Sequence, residues 1–262
     1  MIETWLNFPL WLAVPATLLF WLATAAGVWG IFQYPRVASF WRNCTGIAPP
    51  YVSVFATLFG LSVSFMSADI WQRAEQAQQV VLQEASQLNY LLHFAEAIGP
   101  AGQTITAPIC AYAKSVVQQE WPVMVRDGEA SPVTEAAFDH LLSLLTAPAF
   151  TAQVDATLRR EMLNAFNQVR QYRVDRIQLS NTYSHFGKWM IVLFLGFMTQ
   201  VAIGVVHLEK SHARAVTLFI FTMAMAVTLI LLAGMDQPFV PPFAVGNDSF
   251  KELASCGLNQ YL

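Results

Sequence analysis

Residues 50–98 read PYVSVFATLFGLSVSFMSADIWQRAEQAQQVVLQEASQLNYLLHFAEAI. Up to Ala68 this stretch holds no Asp, Glu, Lys or Arg, and the uncharged run reaches back to Asn43. At about 1.5 Å of rise per residue it can cross a hydrocarbon core about 30 Å thick. From Ile70 onward the composition turns polar, yet neither Gly nor Pro interrupts Ile70 to Ile98. Ala77, Val81, Ala85, Leu88, Leu92 and Ala95 recur there at three- and four-residue steps, one apolar stripe on a helix. No linker separates Ala68 from Ile70. The pattern predicts one helix that leaves the membrane without a break.

Three more uncharged runs, Thr4 to Pro35, Trp189 to Leu208 and Ala215 to Met235, give four spans in two hairpins. The spans are placed at Leu10 to Phe32, Pro50 to Ala68, Trp189 to His207 and Ala215 to Met235. Only 12% of the 262 residues are charged and 55% are hydrophobic, against about 25% charged in soluble domains. A soluble enzyme of ordinary composition is excluded. The net charge of -3 argues against nucleic acid, which needs a basic face to displace counterions. Cys44, Cys110 and Cys256 are far apart and odd in number, and suggest neither a disulfide framework nor a zinc site. Glu3 stands where a signal peptide wants a basic residue, so the first segment is expected to remain in the mature protein. Trp5, Trp11, Trp29, Trp41 and Trp189 lie near span ends, where indoles rest at headgroup level.

Residues 70–187 hold the remaining organisation. Ile70 to Lys188 carries nine of the fourteen basic residues and eleven of the seventeen acids. Gly99-Pro100 stops the first helix. A second runs from about Ile105 to Val125, interrupted by Pro108 and Pro122, and Asp127-Gly128 signals a turn. Ser131-Pro132 opens a third, with Ser as cap and Pro at the first helical position, and Pro148 closes it. A long stretch from Thr151 to about Phe186 puts Val154, Leu158, Met162, Phe166 and Val169 on one side. The fold class is all-α: a membrane hairpin (1–69), an extramembrane helical domain (70–187) continuous with the second and third membrane helices, a second hairpin (188–236) and a C-terminal tail (237–262). Both termini then share a side with the polar domain. Arg36, Arg42, Lys210 and Arg214 on one side balance Arg73, Arg173, Arg176 and Lys188 on the other, so charge alone leaves the orientation tied.

The second membrane helix carries the residues of most interest. Ser53, Thr57, Gly60, Ser64 and Ser67 fall within about 80° of helical arc, and the stripe continues into Trp71 and Glu75. Phe55, Phe59 and Val63 point the other way. Small residues allow close helix packing. Hydroxyls can equally line a water-filled path, with a ring of Glu75 carboxylates favouring cations. Gln200 lies between Gly196 and Gly204 and suits an interhelical hydrogen bond. Asp236, at the end of the fourth span, reads as a solvated or capping acid. Glu84, at the edge of the apolar stripe, is expected to be partly buried, with Arg170 and Arg173 as ion-pair partners. No catalytic triad, phosphate loop, metal-ligand spacing or cofactor fingerprint is present in the sequence, so no enzyme activity, metal or cofactor is expected.

Val81-Leu82-Gln83-Glu84-Ala85, Ala111-Tyr112-Ala113-Lys114 leading to Glu120-Trp121-Pro122, and Asp236-Gln237-Pro238-Phe239 together resemble the bestrophin-like family of bacterial and plant membrane proteins. A more distant likeness ties Ala68-Asp69-Ile70-Trp71, Asp236 to Phe239 and Asn247-Asp248 to the bestrophin channels. The resemblance implies a homo-oligomer, most often a pentamer, in the lipid bilayer, with the second helix lining an axial pore for small inorganic ions. It also implies that the polar domain and both termini are cytoplasmic, at a bacterial inner membrane. Pro238 and Phe239 enter as gating or structural candidates on the same ground. The bulky pore constriction of those channels is replaced here by Ser53, Thr57, Gly60 and Ser64, and their acidic calcium cluster has no counterpart around Asn247-Asp248. The expected function is an oligomeric ion channel. The alternative is a non-conducting scaffold or sensor whose helical domain binds a partner or ligand.

Overall fold

The computed structural model describes residues 10–42, 48–182, 184 and 186–256, with the side chains of all of these but 10–13, 38, 41, 42 and 48–51. Trp5, Glu3 and Cys44, and the side chains of Trp11 and Trp41, lie outside the described residues. Among the described residues there is no strand. The helices are α1 (Leu10–Ile31), α2 (Pro35–Arg42), α3 (Ala48–Ala97), α4 (Pro100–Ser115), α5 (Trp121–Asp127), α6 (Pro132–Thr146), α7 (Pro148–Thr151), α8 (Ala156–Ser180), α9 (Phe186–Val206), α10 (Ser211–Met235) and α11 (Asp248–Ala254), with a π-helical turn at Val116–Glu120. Helices α1, α3, α9 and α10 are long and apolar enough to cross a membrane. The chain divides into two compact units, one of residues 1–71 and 183–236, the other of 72–182 and 237–262.

Helix α3 runs unbroken for 50 residues because its polar half has neither Gly nor Pro and its apolar half carries only Gly60 beyond the first turn. Pro49 and Pro50 fall in its first turn, where the missing N–H costs nothing. The third span behaves differently. Helix α8 ends at Ser180 and α9 begins at Phe186, two helices where the sequence pattern predicts one continuous stretch. The difference lies at Asn181, which caps α8 outside the helical region with φ −98° and ψ 2°.

In the membrane unit, α1, α9 and α10 pack together. Trp21, Met66, Ile70, Trp189, Met225 and Leu229 form one buried cluster, with Phe59 and Val63 against it. Phe59 and Val63, opposite the small-residue stripe of α3, therefore face the core of the same chain. Gly196 and Gly204 permit close approach, since a Cβ at Gly196 would lie 2.5 Å from Met225 Sδ and one at Gly204 2.6 Å from the Phe32 ring. Lys188 pairs with Asp69 at 2.8 Å, tying α9 to α3. Trp189, in the first turn of α9, is buried within the protein.

The polar unit has one continuous core, including Ala77, Val81, Leu88, Ile109, Tyr112, Leu141, Met162 and Phe166. Gly99 takes φ 72° and lets the chain reverse, and Pro100 then starts α4 five residues earlier than the sequence pattern indicates. Pro108 sits inside α4 without interrupting it, while Pro122 occupies the first turn of α5. Ser131 stands at the N-cap of α6, but its hydroxyl makes no capping bond. Asp155 does cap α8, accepting from the Thr157 amide at 2.8 Å. Residues after Asp236 are more than a tail: Phe239, Phe250 and Leu253 belong to this core. Cys110 and Cys256 are joined as a disulfide across 146 residues, against the expectation from their spacing, because α11 packs on α4 and brings their Cα atoms to 6.1 Å.

At the α3–α4 corner a Cβ on Gly102 would lie 1.7 Å from the Ala95 carbonyl oxygen, a backbone atom that cannot step aside. Gly102→Ala is expected to lower the stability of the protein by about 3 kcal/mol. Gly60→Ala, with nothing within 4 Å of the added methyl, should be neutral or slightly stabilising. Thermal unfolding of the two variants in detergent checks the contrast.

Candidate functional site

Two groups of residues stand out. The first is the outer face of α3. Ser53, Thr57, Gly60 and Ser64 are exposed in the single chain and Ser67 is half-buried. Trp71 is 65% exposed and Glu75 is exposed. The Ser64 hydroxyl donates to the Gly60 carbonyl oxygen at 2.9 Å, as hydroxyls in apolar helices commonly do. Of the four spans, α3 is the one least covered by its own chain. Val54, Leu58, Leu61 and Phe65 flank the stripe and are also exposed.

The second group is a buried ion cluster in the polar unit. Arg176 has no exposed surface. Its Nε donates to Glu84 Oε2 at 2.7 Å, one terminal nitrogen donates to Glu84 Oε1 at 3.2 Å and to Glu120 Oε1 at 2.7 Å, and the other meets Met124 Sδ at 3.2 Å. Trp121 and Phe250 lie beside the guanidinium, with ring centroids at 5.5 and 5.7 Å. Arg173 donates from Nε to both oxygens of Glu120 at 3.1 Å and pairs with the half-exposed Glu135. The Tyr112 hydroxyl donates to Glu84 Oε1 at 2.9 Å.

This corrects the expected partners of Glu84. Glu84 is fully buried, and its partners are Arg176 and Tyr112 rather than Arg170 or Arg173. Arg170 is exposed, because it sits about 80° round the helix from the centre of the buried stripe. Arg173 is in the cluster, on Glu120. Arg176, Glu120 and Tyr112 were missed. A usable signal existed: the apolar stripe Met162, Phe166, Val169 of α8 continues in the same steps to Arg173 and Arg176. The π turn at Val116–Glu120 widens the helix and brings both Val116 and Glu120 into the core, and no spacing rule announces that.

Burial pushes the Glu120 carboxyl up, but hydrogen bonds from Arg173 and the Arg176 charge outweigh it, so its pKa lies below the usual 4.5. Tyr112 is held well above its ordinary value, first by burial and then by the Glu84 charge. Such a network is costly to desolvate and very costly to leave half-made.

Elsewhere, Gln200 is fully buried. It donates to Thr222 Oγ1 at 3.0 Å and accepts from the Thr24 hydroxyl at 3.1 Å, so it links α9 to α10 and α1 as an interhelical hydrogen bond should. Asp236 does occupy the C-cap of α10. It is buried rather than solvated, accepting from the Ser184 amide at 3.3 Å and from Trp189 Nε1 at 3.4 Å. Pro238 and Phe239 are buried in the polar unit; Phe239 packs edge-on against Trp121 at 5.7 Å. A groove of about 550 Å³ between α4 and α11 is lined by residues including Lys114, Gln118, Lys251 and Ser255, next to Cys110. Among the described residues no group of three or more His, Cys, Asp or Glu side chains comes together.

The family model for the Bestrophin-like domain matches residues 18–250. A bacterial bestrophin homologue from Klebsiella pneumoniae superposes with a TM-score of 0.70 at 12% identity, covering 94% of this chain and 97% of that one. Two single-residue variants of the same bacterial homologue superpose with TM-scores of 0.69, at 13% and 14% identity, covering 95% and 94% of this chain and 98% of theirs. These likenesses establish the fold. No curated protein matches the chain by sequence.

Removing one member of the ion cluster leaves buried charge uncompensated. Arg176→Met is expected to cost about 3–5 kcal/mol, measured by thermal or chemical unfolding. Because the Glu120 pKa is lowered in the folded protein, its stabilising contribution is complete above about pH 4.5 and is lost as pH falls through the folded value. Unfolding temperature should therefore fall steeply on acidification below about pH 4.5. Glu120→Gln should be less stable at neutral pH and show a shallower acid decline.

Proposed function

The chain belongs to the bestrophin-like family, and from that premise we propose that it assembles into a homo-oligomeric ion channel, a pentamer by resemblance, in which α3 lines an axial pore. One observation carries the reading. The small, hydroxyl-bearing face of α3 is turned away from its own subunit and left uncovered. Hydroxyls gain nothing from lipid, and a stripe of this kind suits either water or a second copy of the helix. Both call for an assembly.

In this reading Ser53, Thr57, Gly60, Ser64 and Ser67 line the membrane part of the path. Their hydroxyls and the backbone solvate a permeating ion weakly enough for it to leave. Trp71 follows at the mouth. Glu75 places one carboxylate per subunit beyond the uncharged region, so a ring of them concentrates cations. Gln200 and Asp236 fix the packing of the membrane helices, and Glu84 with Arg173 and Arg176 fixes the fold of the polar unit. Pro238 and Phe239 hold the chain that follows Asp236 to that unit's own core. The polar unit and both termini lie in the cytoplasm of a bacterial cell.

The test is reconstitution of the full chain in planar bilayers. Discrete current steps are expected, and Thr57→Phe should reduce unitary conductance severalfold by putting a ring of aromatic side chains across the path. Glu75→Gln should weaken cation preference, moving the reversal potential in a KCl gradient toward zero. An intact oligomer with no current would favour a scaffold, and currents unchanged by Thr57→Phe would remove α3 from the pore.

A further inference from the structure

Six charged residues are buried among those described: Glu84, Glu120, Arg173, Arg176, Arg214 and Asp236. Five have hydrogen-bond partners within the protein. Arg214 is the exception. The residue is only 2% exposed, and its Nε and Nη1 have no hydrogen-bond partner among the described residues. Taking a guanidinium out of water without a counter-charge is among the most expensive things a fold can do.

The setting is equally specific. Arg214 lies in the first turn of α10, a helix of 25 residues. Its amide donates to the Lys210 carbonyl at 2.9 Å and opens the helical ladder. The amides of Ser211, His212 and Ala213 precede that bond and have no acceptor within the helix. The N-cap residue, Lys210, supplies no side-chain cap. Arg214 thus belongs to the same helical turn as those amides, at the positive end of the helix dipole. Lys210 and His212 add exposed basic groups, and the acid nearest in sequence, Glu209, is itself exposed. Arg214 is one turn before Leu218 and continues the inward row of Leu218, Met225 and Leu229, all buried, so its burial follows from the face it occupies.

We propose that the N-terminal end of α10 is a binding site for a phosphate-bearing anion, held by the Arg214 guanidinium and the first-turn amides. A phosphate oxygen cluster can accept from a planar guanidinium and from helix amides at once. The site is at the end of a membrane span, the depth at which lipid phosphates lie, so the same chemistry can come from an anionic lipid headgroup or from free phosphate. The inference does not depend on ion conduction.

Thermal unfolding of the full chain, stripped of lipid in detergent, provides the test. Phosphatidylglycerol is compared with a diacylglycerol of the same chains lacking phosphate, and separately with millimolar inorganic phosphate. Phosphatidylglycerol is expected to raise the midpoint by roughly 5 °C over diacylglycerol, and Arg214→Gln to abolish the rise. A rise with inorganic phosphate that Arg214→Gln also abolishes supports the site and assigns it a soluble anion. No phosphate-dependent rise in the wild type, or one that persists undiminished in Arg214→Gln, overturns it. Should Arg214→Gln fail to fold, Arg214→Lys keeps the charge but loses the planar donor array; its rise should be at least halved, and an undiminished one overturns the proposal.

Discussion

Arg176 is a full positive charge with no surface in contact with water, and the polar unit is arranged around satisfying it. Glu84 comes from α3, Glu120 from the π turn after α4, and Trp121 and Phe250 close over the guanidinium from α5 and α11. Each of these elements has other apolar contacts, but contacts of that kind tolerate sliding. A guanidinium between two carboxylates does not, because any displacement leaves a desolvated charge unpaired. The cluster thus fixes the register of helices that the apolar core alone would hold only loosely. Arg173 extends it outward, from the buried Glu120 to the half-exposed Glu135.

The membrane unit meets the same problem with neutral groups. Gln200 satisfies its amide on two threonines from neighbouring helices, and the glycines one turn either side of it let those helices approach. Asp236 takes an indole N–H and a backbone amide. The outer face of α3 is the contrast, with the hydroxyls of Ser53, Thr57 and Ser64 exposed among the described residues. A surface of that composition is what an oligomeric path through a membrane would need, and the family to which the chain belongs supplies the context.

Much of this was legible in the sequence, for definite reasons. Uncharged runs mark spans because hydrocarbon penalises charge residue by residue, and α3 could be drawn across both regions because no breaker intervenes. The Gln200 hydrogen bond followed from its glycine neighbours. What escaped depends on tertiary choices. Arg170, Arg173 and Arg176 differ locally only by rotation about one helix axis, so which of them meets Glu84 is decided by the element packed opposite. The π turn that swings Glu120 inward has no compositional mark. Cys110 and Cys256 pair because α11 lies on α4, a long-range contact that their spacing cannot encode. Arg214, with the first uncharged residue of its span following it, looked like an ordinary loop cation.

The polar unit is discontinuous in sequence, since Phe239, Phe250 and Leu253 of its core are translated only after α9 and α10. Biosynthesis must therefore insert a complete hairpin between the two parts of a single hydrophobic core. Two crossings return the chain to the side it left, while one crossing would strand residues 237–256 across the bilayer from the partners they cover. The parity of membrane insertion is in this way a folding requirement of the polar unit. A hairpin that failed to insert would be detected as an unfinished core, with Arg176 missing the ring of Phe250 that lies beside it in the complete fold.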